Sequence, residues 1–132
     1  SVQLVGLKDR VVIVSFWATW CEPCVQEFPS LVNLIREFKG KVVLLAVSAD
    51  NSVEELKAFV KAFKADDPNI KIMWDKEQKV ANLYGTEALP ESYILGYDNS
   101  LIRKIAGVDK WDTPQAIEYF REIVDKKIKA AQ

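Results

Sequence analysis

Two cysteines with two residues between them are the part of this sequence best suited to chemistry. Cys21 and Cys24 follow an apolar segment that ends at Phe16, and a helix is expected to begin at about Cys21. A thiol in the first turn of a helix lies near unpaired backbone N–H groups and the positive end of the helix dipole, which stabilise its thiolate. Cys24 shares a face of that helix with Cys21, and the two sulfurs can form a short-loop disulfide. Cys21 is therefore the candidate nucleophile and Cys24 the candidate resolving thiol.

Three other interpretations of the cysteine pair compete with a redox function. A structural zinc site needs four ligands, and two cysteines without any histidine nearly exclude a closed metal site within one chain. A structural disulfide with so short a loop contributes only about 2 kcal/mol, against roughly 3 kcal/mol for a fifteen-residue loop. Two unrelated buried thiols are the third alternative, and the neighbouring Trp17, Trp20 and Pro23 argue against chance spacing. We therefore interpret the pair as a redox-active disulfide that needs no metal and no further cofactor.

Two separate segments carry a resemblance to a known family. The run Val11–Cys24, with Glu27, Phe28 and Pro29 after it, resembles the active-site segment of thioredoxin-fold proteins, most closely their extracytoplasmic TlpA/ResA/CcmG-like branch. A second segment, Tyr84–Leu95, matches the region where such proteins keep a cis-proline beside the thiols. The resemblance covers nearly the whole chain. It implies a single α/β domain over residues 1–132 with the thioredoxin fold, a central mixed sheet of about five strands, helices on both faces and a helix-strand insert.

Glu27 is a candidate for proton transfer because it follows Cys24 by about one helical turn. Thioredoxin itself has an aspartate at the position matching Ser15, and the resemblance to ResA-like proteins implies that Glu27 takes over its role. A desolvated carboxylate has a raised pKa and can accept the Cys24 proton near neutral pH. The alternative is a surface glutamate near the positive end of the helix dipole.

Five further residues are predicted to contact the substrate. The resemblance implies a cis Leu89–Pro90 bond, which leaves the Leu89 backbone free to pair with an extended peptide. A trans proline at the start of a strand is the alternative.

Glu22 and Pro23 disfavour the Cys21 thiolate and so favour a reducing couple. Trp20 offers partners an apolar surface, as does Trp17 unless it belongs to the core. Glu91 is a weaker candidate for partner selection, the alternative being a plain exposed charge.

Apolar periodicity and turn residues predict the element order β-α-β-α-β-α-β-β-α. Ser52 with Glu55 forms a capping box, and Pro114 follows the helix-capping Thr113. Residues 1–8 are predicted to form an edge segment or a turn. The predicted strands are 11–16, 42–47, 70–74, 92–95 and 101–105, and the predicted helices run from about 21 to 39, 52 to 65, 76 to 84 and from 113 onward.

Composition limits the partners of this 132-residue chain. Its net charge is −1 with scattered Lys and Arg, so no footprint for nucleic acid or anionic lipid is visible. No apolar run approaches the roughly eighteen residues of a membrane helix, so direct membrane insertion is not expected. The start at Ser1 rather than Met suggests that an upstream segment has been removed, and the resembled branch carries a signal peptide or a one-helix anchor there. We expect a monomer in the bacterial periplasm or on the extracytoplasmic face.

The preferred hypothesis is a thiol–disulfide oxidoreductase that acts mainly as a reductant. Disulfide-containing proteins are its expected substrates, for example during cytochrome c maturation, and an upstream dithiol electron donor, which in the resembled branch is a membrane protein, recharges it. A thiol peroxidase of the peroxiredoxin-like branch is one alternative, although no Arg is obviously placed for its pocket. A non-catalytic binding module, whose disulfide orders a docking surface, is the other.

Overall fold

The computed structural model describes residues 10–63, 67–86, 88–98 and 100–131. Within them the elements follow the predicted order. The segment 1–8, predicted as an edge or turn, lies outside the described residues. The strands are β1 (Val11–Trp17), β2 (Val42–Ser48), β3 (Ile70–Trp74), β4 (Glu91–Leu95) and β5 (Leu101–Ala106), and the helices are α1 (Glu22–Phe38), α2 (Val53–Ala62), α3 (Lys79–Tyr84) and α4 (Pro114–Ala131).

Two helix boundaries differ from the prediction. Helix α2 ends at Ala62, where Phe63 forms its C-cap, and the predicted end at Ala65 lies outside the described residues. Helix α3 begins at Lys79 instead of Lys76. The reason is Asp75, whose carboxylate accepts hydrogen bonds from the backbone N–H groups of Val80 and Ala81 at 3.1 and 3.0 Å. Because Asp75 caps the helix from four residues upstream, the intervening residues form a turn.

The strands form a mixed sheet in the order β3-β2-β1-β4-β5. Strand β1 pairs in parallel with β2 and antiparallel with β4, and all of its residues are buried. A continuous apolar sequence suits this central position because helices cover both faces. Helices α1, α2 and α4 contribute to the core on one face, and α3 packs on the other. The predicted mixed sheet with helices on both faces is confirmed.

The carboxyl ends of the three parallel strands meet at one edge of the sheet. Trp17 at the end of β1 accepts a hydrogen bond from the backbone N–H of Ala49, and Ser48 at the end of β2 accepts one from that of Asp75. Ligand sites in sheets of this kind form at such an edge. The start of α1, with both cysteines, lies there. In the part of the chain that the structure describes, no helix has the length and apolar character needed to cross a membrane.

Candidate active site

Cys21 and Cys24 form a disulfide at the amino end of α1. Their Cα atoms are 5.3 Å apart. Cys21 is the N-cap residue, with an extended backbone (φ −93°, ψ 102°), and its Sγ accepts a hydrogen bond from the backbone N–H of Cys24 at 3.4 Å. Pro23 has no N–H to offer. The Cys21 sulfur therefore occupies the position where a capping oxygen usually sits, and a thiolate formed there is stabilised by the helix terminus.

The loop before Cys21 is fastened to the end of β2 by Asp50, which is fully buried. Both carboxylate oxygens of Asp50 accept from the backbone N–H of Thr19 at 3.1 Å, and Oδ1 also accepts from the Thr19 hydroxyl at 2.6 Å. The Ser48 hydroxyl donates to Oδ2 at 2.6 Å. We call Thr19, Ser48 and Asp50 the loop clamp. Sequence reasoning missed it; the available signal was an aspartate just after the strand that neighbours the cysteine-bearing segment.

An open cleft of about 470 Å³ gives access to the disulfide. Trp20, a large apolar residue of its lining, has 62% of its surface exposed. Cys21 is 7% exposed and lines the cleft, whereas Cys24 is 3% exposed and does not, so Cys21 is the more accessible of the two residues. The cleft is lined by Trp20, Cys21, Glu22, Pro23, Gln78, Ala88 and Leu89. The structure thus brings together four of the five residues predicted to contact substrate.

The fifth of them, Pro90, is buried immediately before β4, and the Leu89–Pro90 bond is cis, as expected. The Pro90 carbonyl accepts a hydrogen bond from the backbone N–H of Gly107 at 2.9 Å. Within the described residues, neither the N–H nor the carbonyl of Leu89 takes part in a backbone hydrogen bond. The Leu89 backbone therefore borders the cleft with its hydrogen-bonding groups available.

Glu27 lies three residues after Cys24 on α1 and is buried, with 3% of its surface exposed. Its Oε2 accepts hydrogen bonds from the indole Nε1–H of Trp111 at 2.9 Å and from the backbone N–H of Asp109 at 2.8 Å. Burial raises the pKa of Glu27 above the ordinary value, while the bonds from Trp111 and Asp109 lower it and offset part of that rise. The alternative of a surface glutamate is wrong, because α1 presents this residue to the core.

Two side chains considered for partner contacts have other surroundings. Trp17 is 2% exposed and stacks on Phe28 with ring centroids 5.2 Å apart, so it belongs to the core. Glu91 is 5% exposed and contacts the Lys104 Nζ at 2.9 Å and the Tyr93 hydroxyl at 2.6 Å. The alternative of a plain exposed charge at Glu91 is wrong. Among the described residues, no three His, Cys, Asp or Glu side chains cluster as metal ligands would.

The fold and the paired thiols define a thioredoxin-fold protein with a disulfide at the start of its first helix. A solved thiol:disulfide interchange protein from Bacteroides sp. superposes with a TM-score of 0.77, at 23% sequence identity, over 95% of this chain and 80% of its own. The chain belongs to the AhpC/TSA family, whose sequence profile matches residues 1–104.

Curated relatives are named thiol-disulfide oxidoreductase ResA. The protein from Bacillus thuringiensis subsp. konkukian is 32% identical over 124 residues, which are 93% of this chain and 69% of the relative. The protein from Bacillus thuringiensis strain Al Hakam is 34% identical over 108 residues, 81% of this chain. The chain spans 61% of the length of the latter relative.

Proposed function

We propose that this chain is a thiol–disulfide oxidoreductase that reduces disulfides in other proteins through Cys21 and Cys24. The observation that carries the proposal is the asymmetry of the pair: Cys21 caps α1 and opens on the cleft, while Cys24 is buried one helical turn before the buried Glu27. An accessible stabilised thiolate suits the attack on a foreign disulfide, and a shielded second thiol suits the intramolecular resolution that follows. The names of the ResA relatives agree with this activity.

The first step begins from the reduced protein. The Cys21 thiolate attacks one sulfur of the substrate disulfide, and a new bond forms between Cys21 Sγ and that sulfur while the substrate S–S bond breaks. The departing substrate sulfur leaves as a thiolate and takes a proton from solvent. The product is a mixed disulfide in the cleft beside Trp20.

The second step regenerates the disulfide of this chain. Glu27 accepts the proton of Cys24, and the Cys24 thiolate attacks Cys21 Sγ, which breaks the mixed disulfide and releases the second substrate thiolate. That thiolate takes a proton from solvent, and Glu27 returns its proton to solvent. Over both steps the substrate gains two electrons and two protons, and the Cys21–Cys24 dithiol becomes the disulfide. These sulfurs carry the electrons, and no further cofactor takes part.

The substrate is held as an extended peptide. The free N–H and carbonyl of Leu89 pair with its backbone as an added strand would. Pro90 fixes the course of the chain next to Leu89, Trp20 supplies apolar contact, and Glu22 and Pro23 line the same cleft.

The setting of this reaction is proposed from the family resemblance. An upstream dithiol protein, membrane-bound in the resembled branch, returns the disulfide to the dithiol. The substrates are extracytoplasmic proteins that include apocytochrome c, and the protein works as a monomer in the periplasm or at the extracytoplasmic face. Neither nucleic acid nor direct membrane insertion has a part in it.

Disulfide reduction and peroxide reduction separate the proposal from its alternatives. With dithiothreitol as electron source, the wild-type protein should reduce insulin and a Cys21→Ser variant should not. Rapid consumption of hydrogen peroxide without insulin reduction would identify a thiol peroxidase instead. None of the four arginines of the chain lines the cleft, so the described residues offer no guanidinium for a peroxide pocket. Retained binding to a partner without either reaction would identify a binding module.

A further inference from the structure

The segment 107–113, between β5 and α4, connects the two parts of the candidate site. At its start, the backbone N–H of Gly107 donates to the Pro90 carbonyl at 2.9 Å. Two residues later, the backbone N–H of Asp109 donates to Glu27. One short segment therefore contacts both Pro90, next to Leu89 of the cleft, and the buried Glu27 carboxylate of α1.

Trp111 fastens this segment to α1 at two points. Its indole Nε1–H donates to Glu27 Oε2 at 2.9 Å, and its backbone N–H donates to the Ser30 hydroxyl at 3.3 Å. The Ser30 hydroxyl in turn donates to the Glu27 carbonyl at 2.8 Å. Trp111 is 2% exposed and packs against Phe120, with ring centroids 6.1 Å apart, so its indole has little freedom to turn away. The orientation of Glu27 is thus fixed by a rigid donor.

The two hydrogen bonds that the described residues donate to the Glu27 carboxylate go to the same oxygen, Oε2. An oxygen that already accepts two N–H groups has no room for a proton, whereas a neutral carboxyl group still accepts through its carbonyl oxygen. A proton that arrives at Glu27 therefore binds Oε1, and the bonds from Trp111 and Asp109 persist in both protonation states. The carboxyl group keeps its orientation while it gains and loses a proton.

We propose that Trp111 is a positioning residue for the resolving step, which holds Glu27 so that Oε1 is the oxygen that exchanges a proton with Cys24. This inference rests on the proposed function for its catalytic meaning. The arrangement of Trp111, Asp109 and Glu27 stands without it. The groups that act on Glu27 come from the segment 107–113: the like-charged Asp109 carboxylate and the two N–H donors of Asp109 and Trp111. The Trp111 bond favours the ionised form of Glu27, and burial and Asp109 oppose it.

A titration of the unmodified protein tests the hydrogen bond directly. In the oxidised protein the cysteines do not titrate, so the ¹³Cδ shift of Glu27, assigned with a Glu27→Gln variant, reports that carboxyl group alone. The ¹⁵Nε1 and indole proton shifts of Trp111 should change with the same midpoint. An indole of Trp111 that stays constant while Glu27 titrates would overturn the proposal.

A pair of matched substitutions tests the energetic effect. Trp111→Phe removes the donor and keeps an aromatic ring, and the Glu27 midpoint should rise by about 1 pH unit, roughly a tenfold gain in proton affinity. Trp17→Phe is the control, because Trp17 is also buried but its Nε1 has no partner among the described residues. An unchanged midpoint in Trp111→Phe, or an equal rise in both variants, would contradict the proposal.

The pH profile of the resolving step separates this inference from the proposed function. The rate of substrate release from a mixed disulfide should rise with pH as Glu27 ionises. Trp111→Phe should shift the rising limb of this rate–pH profile to higher pH, by the same amount as it shifts the Glu27 titration midpoint. A purely structural role would lower the rate without moving the limb. If Glu27 and Trp111 titrate together but the protein does not reduce disulfides, the proposed function is wrong and the hydrogen bond stands. If the protein reduces disulfides but Trp111→Phe leaves the rate–pH profile unshifted, the role of Trp111 is wrong.

Discussion

The carboxylate of Glu27 is almost completely buried from solvent. Its side chain is 3% exposed, and two N–H donors hold one of its oxygens. Because burial raises the pKa of Glu27 above 4.5, the folded protein binds this proton more tightly than the unfolded chain does. The contribution of protonated Glu27 to the free energy of unfolding is fully present below about pH 4.5 and is lost as the pH rises through the pKa of Glu27 in the folded protein. Ionisation of Glu27 therefore lowers the free energy of unfolding near neutral pH.

A Glu27→Gln variant should lose this pH dependence. We expect the free energy of unfolding of the oxidised wild type to fall relative to that of the variant as the pH rises from about 4.5, with a limiting slope of about 1.4 kcal/mol per pH unit. Urea unfolding at several pH values measures the difference. Glu118→Gln, which removes an exposed glutamate of α4, is the charge-matched control. An equal effect in both variants would assign the change to net charge.

Trp20 belongs to the surface that meets the substrate. It lines the cleft and is 62% exposed, so its ring is available to an incoming peptide. Trp20→Ala should raise the KM for a disulfide peptide by about 5-fold, near 1 kcal/mol, with kcat nearly unchanged, because the ring supplies binding area and no reacting atom. Leu83→Ala, at an 85% exposed position that does not line the cleft, should leave both constants unchanged. A loss in kcat alone would contradict this role.

At the scale of elements, the loop clamp joins the start of α1 to the end of β2. Asp50 accepts every hydrogen bond from Thr19 across a sequence separation of 31 residues. The clamp fixes the four residues between β1 and α1, and with them the N-cap position of Cys21. Rigid support of this kind is what keeps a reactive group in its productive geometry.

Thr19→Val tests the clamp. The substitution keeps the shape and the backbone bonds but removes the hydroxyl that donates to Asp50 at 2.6 Å. Because Asp50 is fully buried, the lost bond should lower the free energy of unfolding by about 1 to 3 kcal/mol. Thr19→Ser retains the hydroxyl and should lose less than about 0.5 kcal/mol. Equal losses in the two variants, measured by urea unfolding, would show that the methyl group matters and the hydroxyl does not.

Local pattern predicts some elements better than others. The strand β1 and the start of α1 could be predicted because apolar runs and the cysteine-proline segment act over a few residues. The start of α3 could not, since Asp75 caps it from a distance that no simple motif encodes. The burial of Glu91 was missed for a similar reason: its partners Tyr93 and Lys104 lie on β4 and β5, and only strand pairing brings Lys104 to it.

At the scale of the whole molecule, the candidate site draws on residues far apart in the chain. The cysteines, the cis Leu89–Pro90 bond and Glu27 could be foreseen from two segments that resemble a known family. Trp111 could not be, because 84 residues separate it from Glu27 and its approach depends on how β5 and α4 pack on α1. The order of the strands in the sheet brings the segments that carry these residues together, and the local sequence of one segment does not predict its contacts with another.

The central claim is that Cys21 attacks a foreign disulfide and Cys24 resolves the product. A Cys24→Ala variant, reduced and then mixed with a disulfide-containing protein, tests it most directly by mass spectrometry. We predict a stable adduct that dithiothreitol removes and that peptide mapping places on Cys21, with none formed by the Cys21→Ala/Cys24→Ala double variant. No adduct with any disulfide substrate, while Cys21 still reacts with a small alkylating reagent, would contradict the claim.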